Sequence, residues 1–160
     1  PEYTAGLNTG FSWKNFDFSM QWTGAWNVDR MLDEFRRPLG DTNEKGLLLY
    51  QYDTTWRSSA DTFTAKFPRT SSLHASNNYA GSDLYLINAS YLRLKSVEIG
   101  YNFNFPFMKK LKMDNCRLYV NGYNLITITG FKWGDPESRQ SSRPNYPLTR
   151  VFNIGLKLGF

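Results

Sequence analysis

Little in this sequence can do covalent chemistry. Its 160 residues hold a single histidine, His74, and a single cysteine, Cys116. A nucleophilic centre needs a nucleophile, a base within hydrogen-bond reach and a group that orients the base, and no such set can be assembled here. There is no HExxH, GxSxG or phosphate-loop pattern. One cysteine cannot close an internal disulfide, and a Cys/His metal constellation lacks its ligands. The chain therefore reads as a non-enzyme with neither metal nor cofactor, and the chemistry left to it is recognition. Trp56, Trp133 and Asp135 fall in segments rich in Gly, Pro and Ser. Exposed indoles there can stack on sugars while a carboxylate accepts their hydroxyl protons, although such residues also serve to pack a large loop upon itself.

These residues hang between segments in which apolar side chains recur at every second position. One of them ends the chain. In Thr149 to Phe160, Phe152, Ile154, Leu156, Leu158 and Phe160 share one face and Val151, Asn153, Gly155, Lys157 and Gly159 the other. A strand that crosses a bilayer needs roughly 9 to 11 residues, apolar toward lipid and polar or small toward a lumen, and this segment has that length. Asn15 to Val28 alternates as cleanly, with Phe16, Phe18, Met20, Trp22 and Trp26 against Asp17, Ser19, Gln21 and Thr23. Trp13, Trp22 and Trp26 suit aromatic girdles at a lipid interface. Tyr3 to Phe11 alternates more loosely and reads as the partner strand of a hairpin. In Asn115 to Thr129, Cys116, Leu118 and Val120 oppose Arg117, Tyr119 and Asn121. Between Asp83 and Phe105 the even-numbered Leu84, Leu86, Leu92 and Leu94 give way to the odd-numbered Val97, Ile99, Tyr101, Phe103 and Phe105. That slip near Lys95 predicts a bulge, or a strand that changes environment there.

The expected architecture is all-β and antiparallel, with strands at about 3–11, 15–28, 84–105, 115–129 and 149–160 and long loops at 29–83 and 130–148. Within the first loop, MLDEFRRP can form a helical turn before Pro38, and a short helix is expected around residues 46–52. The connections alternate short, long, short, long, which puts both long loops at one end of the sheet. Outer-membrane barrels have this asymmetry, with brief periplasmic turns and extended outer loops. On this reading Asp17, Glu98, Arg117 and Lys157 face the lumen, where they either contact an internal plug or are wall charges that are hydrated or paired with neighbouring strands.

Composition agrees with a barrel. The chain carries 12 Phe, 10 Tyr and 5 Trp, yet its mean hydropathy is −0.52. No apolar run is long enough for a transmembrane helix. The net charge is +5, but the basic residues fall mainly in loops (Arg30, Arg36, Arg37, Arg57, Arg69, Arg139, Arg143) and in one turn (Lys109, Lys110, Lys112). They are not interleaved with aromatics along a strand, so nucleic acid is not an expected partner. The loops are solvated and can also meet anionic lipid headgroups. Five strands cannot close on themselves, and an open edge in lipid strands backbone donors at several kcal/mol each. The chain is thus a piece of a larger barrel, or associates with the missing strands, or is a soluble β-sandwich that binds carbohydrate through aromatic loops. Pro1 is neither an initiator nor followed by a leader, as after removal of a signal peptide or in a fragment.

Several phrases sharpen this. SYLRLK with IGY, then RLYVNGYNL, the GFKWGDPE region, and YPLTR followed by a strand that ends in Phe160 resemble the C-terminal portion of the SusC/RagA family of TonB-dependent outer-membrane transporters. TTW at Thr54 to Trp56, KFPR at Lys66 to Arg69, and NNYAGSDLYL are similar to that family too. The resemblance covers nearly the whole chain and excludes the plug, the TonB-contacting box and the earlier strands. It implies roughly the last five strands of a 22-stranded barrel in the Gram-negative outer membrane. The implied activity is import of oligosaccharides or peptides under a SusD-like lipoprotein lid, energised by TonB through the plug. It also implies that the terminal strand, Phe152 to Phe160, carries the signal read by the barrel-assembly machinery.

Overall fold

The computed structural model describes residues 1–31, 49–69, 80–104, 106–107, 112–138 and 148–160. The helical turn expected before Pro38, residues 46–48 of the second expected helix, His74, Arg36, Arg37, Lys109, Lys110, Arg139 and Arg143 lie outside these residues.

The alternating segments form one five-stranded antiparallel sheet. Strands β1 (Tyr3–Trp13) and β2 (Phe16–Trp26) make a hairpin in unbroken register from Tyr3↔Trp26 to Trp13↔Phe16. So tight a turn needs a left-handed residue, and Lys14 supplies it with φ 54°. After β3 (Asp29–Met31) and β4 (Leu86–Asn88), which pair only with each other, come β5 (Tyr91–Phe103), β6 (Asn115–Thr129) and β7 (Val151–Gly159). The sheet order is β1-β2-β5-β6-β7.

The phase slip at Lys95 is a bulge. Met20, Val97 and Gly122 lie in one row across β2, β5 and β6, and the next row on the same face is Trp22, Leu94 and Ile126. The step between these rows is therefore two residues on β2, three on β5 and four on β6. Asn124, at φ 54°, lies within the longest step. This keeps Trp22, Leu94 and Ile126 on the apolar face although their parity differs from strand to strand.

Among the described residues no layer covers much of that apolar face. Leu7 is 59% exposed, Ile99 50%, Phe152 70% and Ile154 75%. A β-sandwich would bury these rows against a second sheet about 10 Å away, so the sandwich reading fails on this observation. In water such a surface would be an aggregation site; against acyl chains it is at home. Among the described residues no strand pairs with the outer edge of β1 or of β7. The barrel is not closed in this chain.

The strand expected over residues 84–105 is divided. Asp83–Tyr85 is a 3-10 turn, β4 follows, and the ladder resumes at Tyr91. At the interruption, Ala89 donates its N–H to the Val28 carbonyl (2.7 Å) and the Val28 N–H reaches the Ser90 hydroxyl (3.5 Å). Alternation cannot report such a change of partner, because β4 and β5 remain extended on both sides of it.

The described residues between 29 and 88 belong to a second unit with its own small core. Tyr85, 1% exposed, stacks on Phe67 with centroids 5.9 Å apart, and Phe67 meets Tyr50 edge-on at 6.0 Å. A short helix, α1 (Leu49–Thr54), leads into a parallel bridge between Thr55 and Phe67. The next turn is held by Asp61, whose carboxylate accepts the N–H groups of Ser58 (2.9 Å) and Arg57 (3.1 Å). Those two amides hold its carboxyl below the ordinary value of 3.8. Because the folded value is the lower one, this contribution is complete above 3.8 and fades as pH falls through the folded value. Amide exchange of the Arg57–Ala65 turn, corrected for intrinsic rates, is expected to lose protection only in that acidic range. Loss near neutral pH would contradict it.

Candidate functional site

The polar face is built by the residues between the apolar ones. Asp17 on β2 is opposite Gly100 on β5, and Arg117 on β6 lies in the row of Asn102 and Lys157. Arg117 extends back across β5 to reach Asp17, with Nε donating to Oδ2 at 3.0 Å and Nη2 to Oδ1. Nη2 also donates to Glu98 Oε1 at 2.8 Å. Amides complete the ladder. Asn102 donates to Asp17 (3.3 Å), Asn121 to Glu98 (3.3 Å) and Asn153 to Asn121 (2.9 Å), so polar contacts run from β2 to β7.

Gly100 makes the crossing possible. A Cβ there would stand 2.6 Å from Cζ and Nε of Arg117. Gly100→Ala is therefore expected to push the guanidinium off β5 and break the Asp17 contact, at about 1 to 3 kcal/mol for a lost charge-assisted bond. Denaturant titration of the intact protein and of the Arg117→Met, Gly100→Ala double variant checks this. If the crossing is the cause, Gly100→Ala adds almost nothing once Arg117 is gone.

Three of the four expected lumen charges thus hold one another. Lys157 does not join them; it is exposed on β7 and makes no ion pair among the described residues. The triad of one guanidinium and two carboxylates keeps one net negative charge, with the Asp17 and Glu98 side chains 29% and 33% exposed.

A second cluster stands near the end of the sheet that bears the long connections. Arg93 on β5 is 2% exposed. It donates from Nη2 to Asp135 (2.8 Å), from Nη1 to Glu137 (2.7 Å) and from Nε to the Thr127 hydroxyl (3.0 Å). Lys95 also binds Glu137, at 2.9 Å. Asp135 was a candidate sugar ligand, but its carboxylate, 11% exposed, is bound to Arg93 and to the Glu137 N–H. Trp133 is half-exposed in the same segment. Trp56, in the second unit, is also half-buried, and its N–H donates to the Phe67 carbonyl at 2.9 Å. Sequence reasoning did not single out Arg93, Lys95 or Glu137 as members of a charged site. The available signal was an arginine between Leu92 and Leu94 in a strand, a setting that demands nearby anions once buried.

On β7, Phe152, Ile154, Leu156 and Leu158 are all exposed, as is Phe160 just beyond it, from 43% at Leu158 to 81% at Phe160. An open antiparallel sheet, bare and apolar on one side, hydrogen-bonded and charged on the other, is the wall of a membrane β-barrel.

Comparison with known proteins narrows the class. No family model matches the chain. The chain is 29% identical over 177 residues to TonB-dependent receptor P3 of Formosa agariphila, with all of this chain and 16% of the receptor aligned. It is 28% identical over 157 residues to TonB-dependent receptor SusC of Bacteroides thetaiotaomicron, with 97% of this chain and 15% of SusC aligned. The RagAB peptide importer in its closed-closed state superposes with a TM-score of 0.71 at 21% identity, covering 98% of this chain and 17% of that one. The chain therefore spans about a sixth of the length of the curated relatives it matches. It matches a C-terminal segment of SusC/RagA-like TonB-dependent receptors, and its place is the Gram-negative outer membrane.

Proposed function

We propose that residues 1–160 are the C-terminal part of the barrel domain of a TonB-dependent importer, contributing wall and outer loops, with the plug and earlier strands supplied by the rest of the polypeptide. The cargo is an oligosaccharide or a peptide, taken up under a SusD-like surface lipoprotein. TonB acts through the plug, and the barrel-assembly machinery inserts the wall by way of Phe152 to Phe160. The observation that carries this reading is the two-sided sheet, with Ile154 75% exposed on one face and Arg117 spanning from Asp17 to Glu98 on the other. Likeness to receptors and importers, none of them named as an enzyme, supports transport over catalysis. The reading is tested in cells that express the intact receptor, by following uptake of a labelled oligosaccharide mixture and of a labelled peptide mixture. Uptake of at least one is expected to need both the receptor and a functional TonB. Uptake of both that is indifferent to deletion of the receptor rejects it.

A further inference from the structure

Two phrases far apart in the chain, SYLRLK and GDPE, are two halves of one cluster. Arg93 and Lys95 come from the first, Asp135 and Glu137 from the second, and the four charges sum to zero. The guanidinium spends its fork on three groups at once: Thr127 on the neighbouring strand, and Asp135 and Glu137 on the segment that follows. That segment folds around the same carboxylate. The Glu137 N–H donates to Asp135 Oδ1 at 2.8 Å, and the Ser138 N–H to the Asp135 carbonyl at 3.2 Å. At its other end Phe131 is 5% exposed, and its N–H donates to the Thr129 hydroxyl at 3.1 Å, which itself donates to the Ser90 carbonyl at 2.8 Å.

We infer that Arg93 is a positioning residue: with Lys95 it clamps Phe131 to Ser138 onto the polar wall, making the stretch that carries Trp133 a fixed lining of the barrel mouth instead of a movable flap. The clamp is a fact of the chain's own bonds; that it lines a mouth through which cargo passes rests on the proposed importer reading. A planar fork is required because Thr127, Glu137 and Asp135 are met by three different nitrogens, Nε, Nη1 and Nη2, whereas a lysine at residue 93 would offer all its N–H donors from one nitrogen.

Hydrogen exchange of the intact receptor, read by mass spectrometry without cargo or TonB, tests the clamp independently of transport. In Arg93→Lys, peptides covering residues 131–138 are expected to exchange about tenfold faster or more, while residues 115–129 keep their protection. Arg117→Met, which disrupts the other cluster, is expected to leave residues 131–138 unchanged. If Arg93→Lys does not assemble, Asp135→Asn with Glu137→Gln removes the clamp from the loop side and predicts the same acceleration. Native-like exchange in the variant that assembles overturns the inference, because charge alone or apolar packing would then hold the segment. A failed uptake assay with accelerated exchange would remove the importer reading and leave the clamp standing.

Discussion

Leu156→Arg is expected to cost about 2 to 4 kcal/mol of stability in a bilayer, the range for a cation placed on the lipid side of a barrel near the midplane. Leu156 is the sixth of nine residues of β7, paired with Leu118 on β6, and is 59% exposed on the bare face. An arginine there has no water and no anion within reach, and in mid-strand its stem is far from either headgroup layer. Asn153→Arg, three residues away, makes the comparison. Asn153 sits on the other face, bonded to Asn121 in the ladder that leads to Glu98. A guanidinium there gains a hydrated surface and a carboxylate nearby, so its cost should be well under that of Leu156→Arg. Denaturant titration of the intact receptor in lipid vesicles measures both. Equal losses, or the reverse order, would mean that the two faces have been exchanged.

The second large effect belongs to Arg117→Met. Removing one member of a buried ion pair typically costs about 3 to 5 kcal/mol, because the other charge is left without compensation. Here two carboxylates would be left, but Asp17 and Glu98 are 29% and 33% exposed, so water recovers part of the loss. The expected cost is about 1.5 to 3 kcal/mol, below the buried-pair range by that solvation. Adding Asp17→Asn and Glu98→Gln to Arg117→Met is expected to restore most of the stability, since no carboxylate then stands unpaired. A loss under about 0.5 kcal/mol for Arg117→Met alone would mark the triad as hydrated charges of no structural value.

Much of the wall was legible before any coordinates. Which residues share a face follows from the period of two, a local property that each strand carries by itself. Even the bulge left a trace, since an extra residue at Lys95 inverts the parity of everything beyond it. The number of residues that each neighbour would set against it could not be read, because a step of two on β2 and four on β6 is a property of the pairing and not of any one strand. The division of the expected 84–105 strand was hidden for the same reason. The charges show the limit most plainly. Asp17, Glu98 and Arg117 could be placed on one face, but the bond between Asp17 and Arg117 joins residues 100 positions apart, and it depends on Gly100 having no side chain. Asp135 lies beyond the end of β6, and the bonds its carboxylate makes to Arg93 and to the Glu137 N–H join segments that no alternation relates.

The recognisable phrases divide in the same way. TTW and KFPR pair through Trp56 and Phe67, with Lys66 donating its N–H to the Thr54 carbonyl at 2.7 Å. SYLRLK meets GDPE through Arg93. By itself the sequence determined that this is an antiparallel wall with one apolar and one polar face, because alternation, turn residues and charge placement are set along the chain. Only the tertiary structure decided that the apolar face stays bare, which charges hold one another and which loop residues are already engaged. Those depend on what the fold brings within about 3 Å, and distance along a polypeptide carries no record of it.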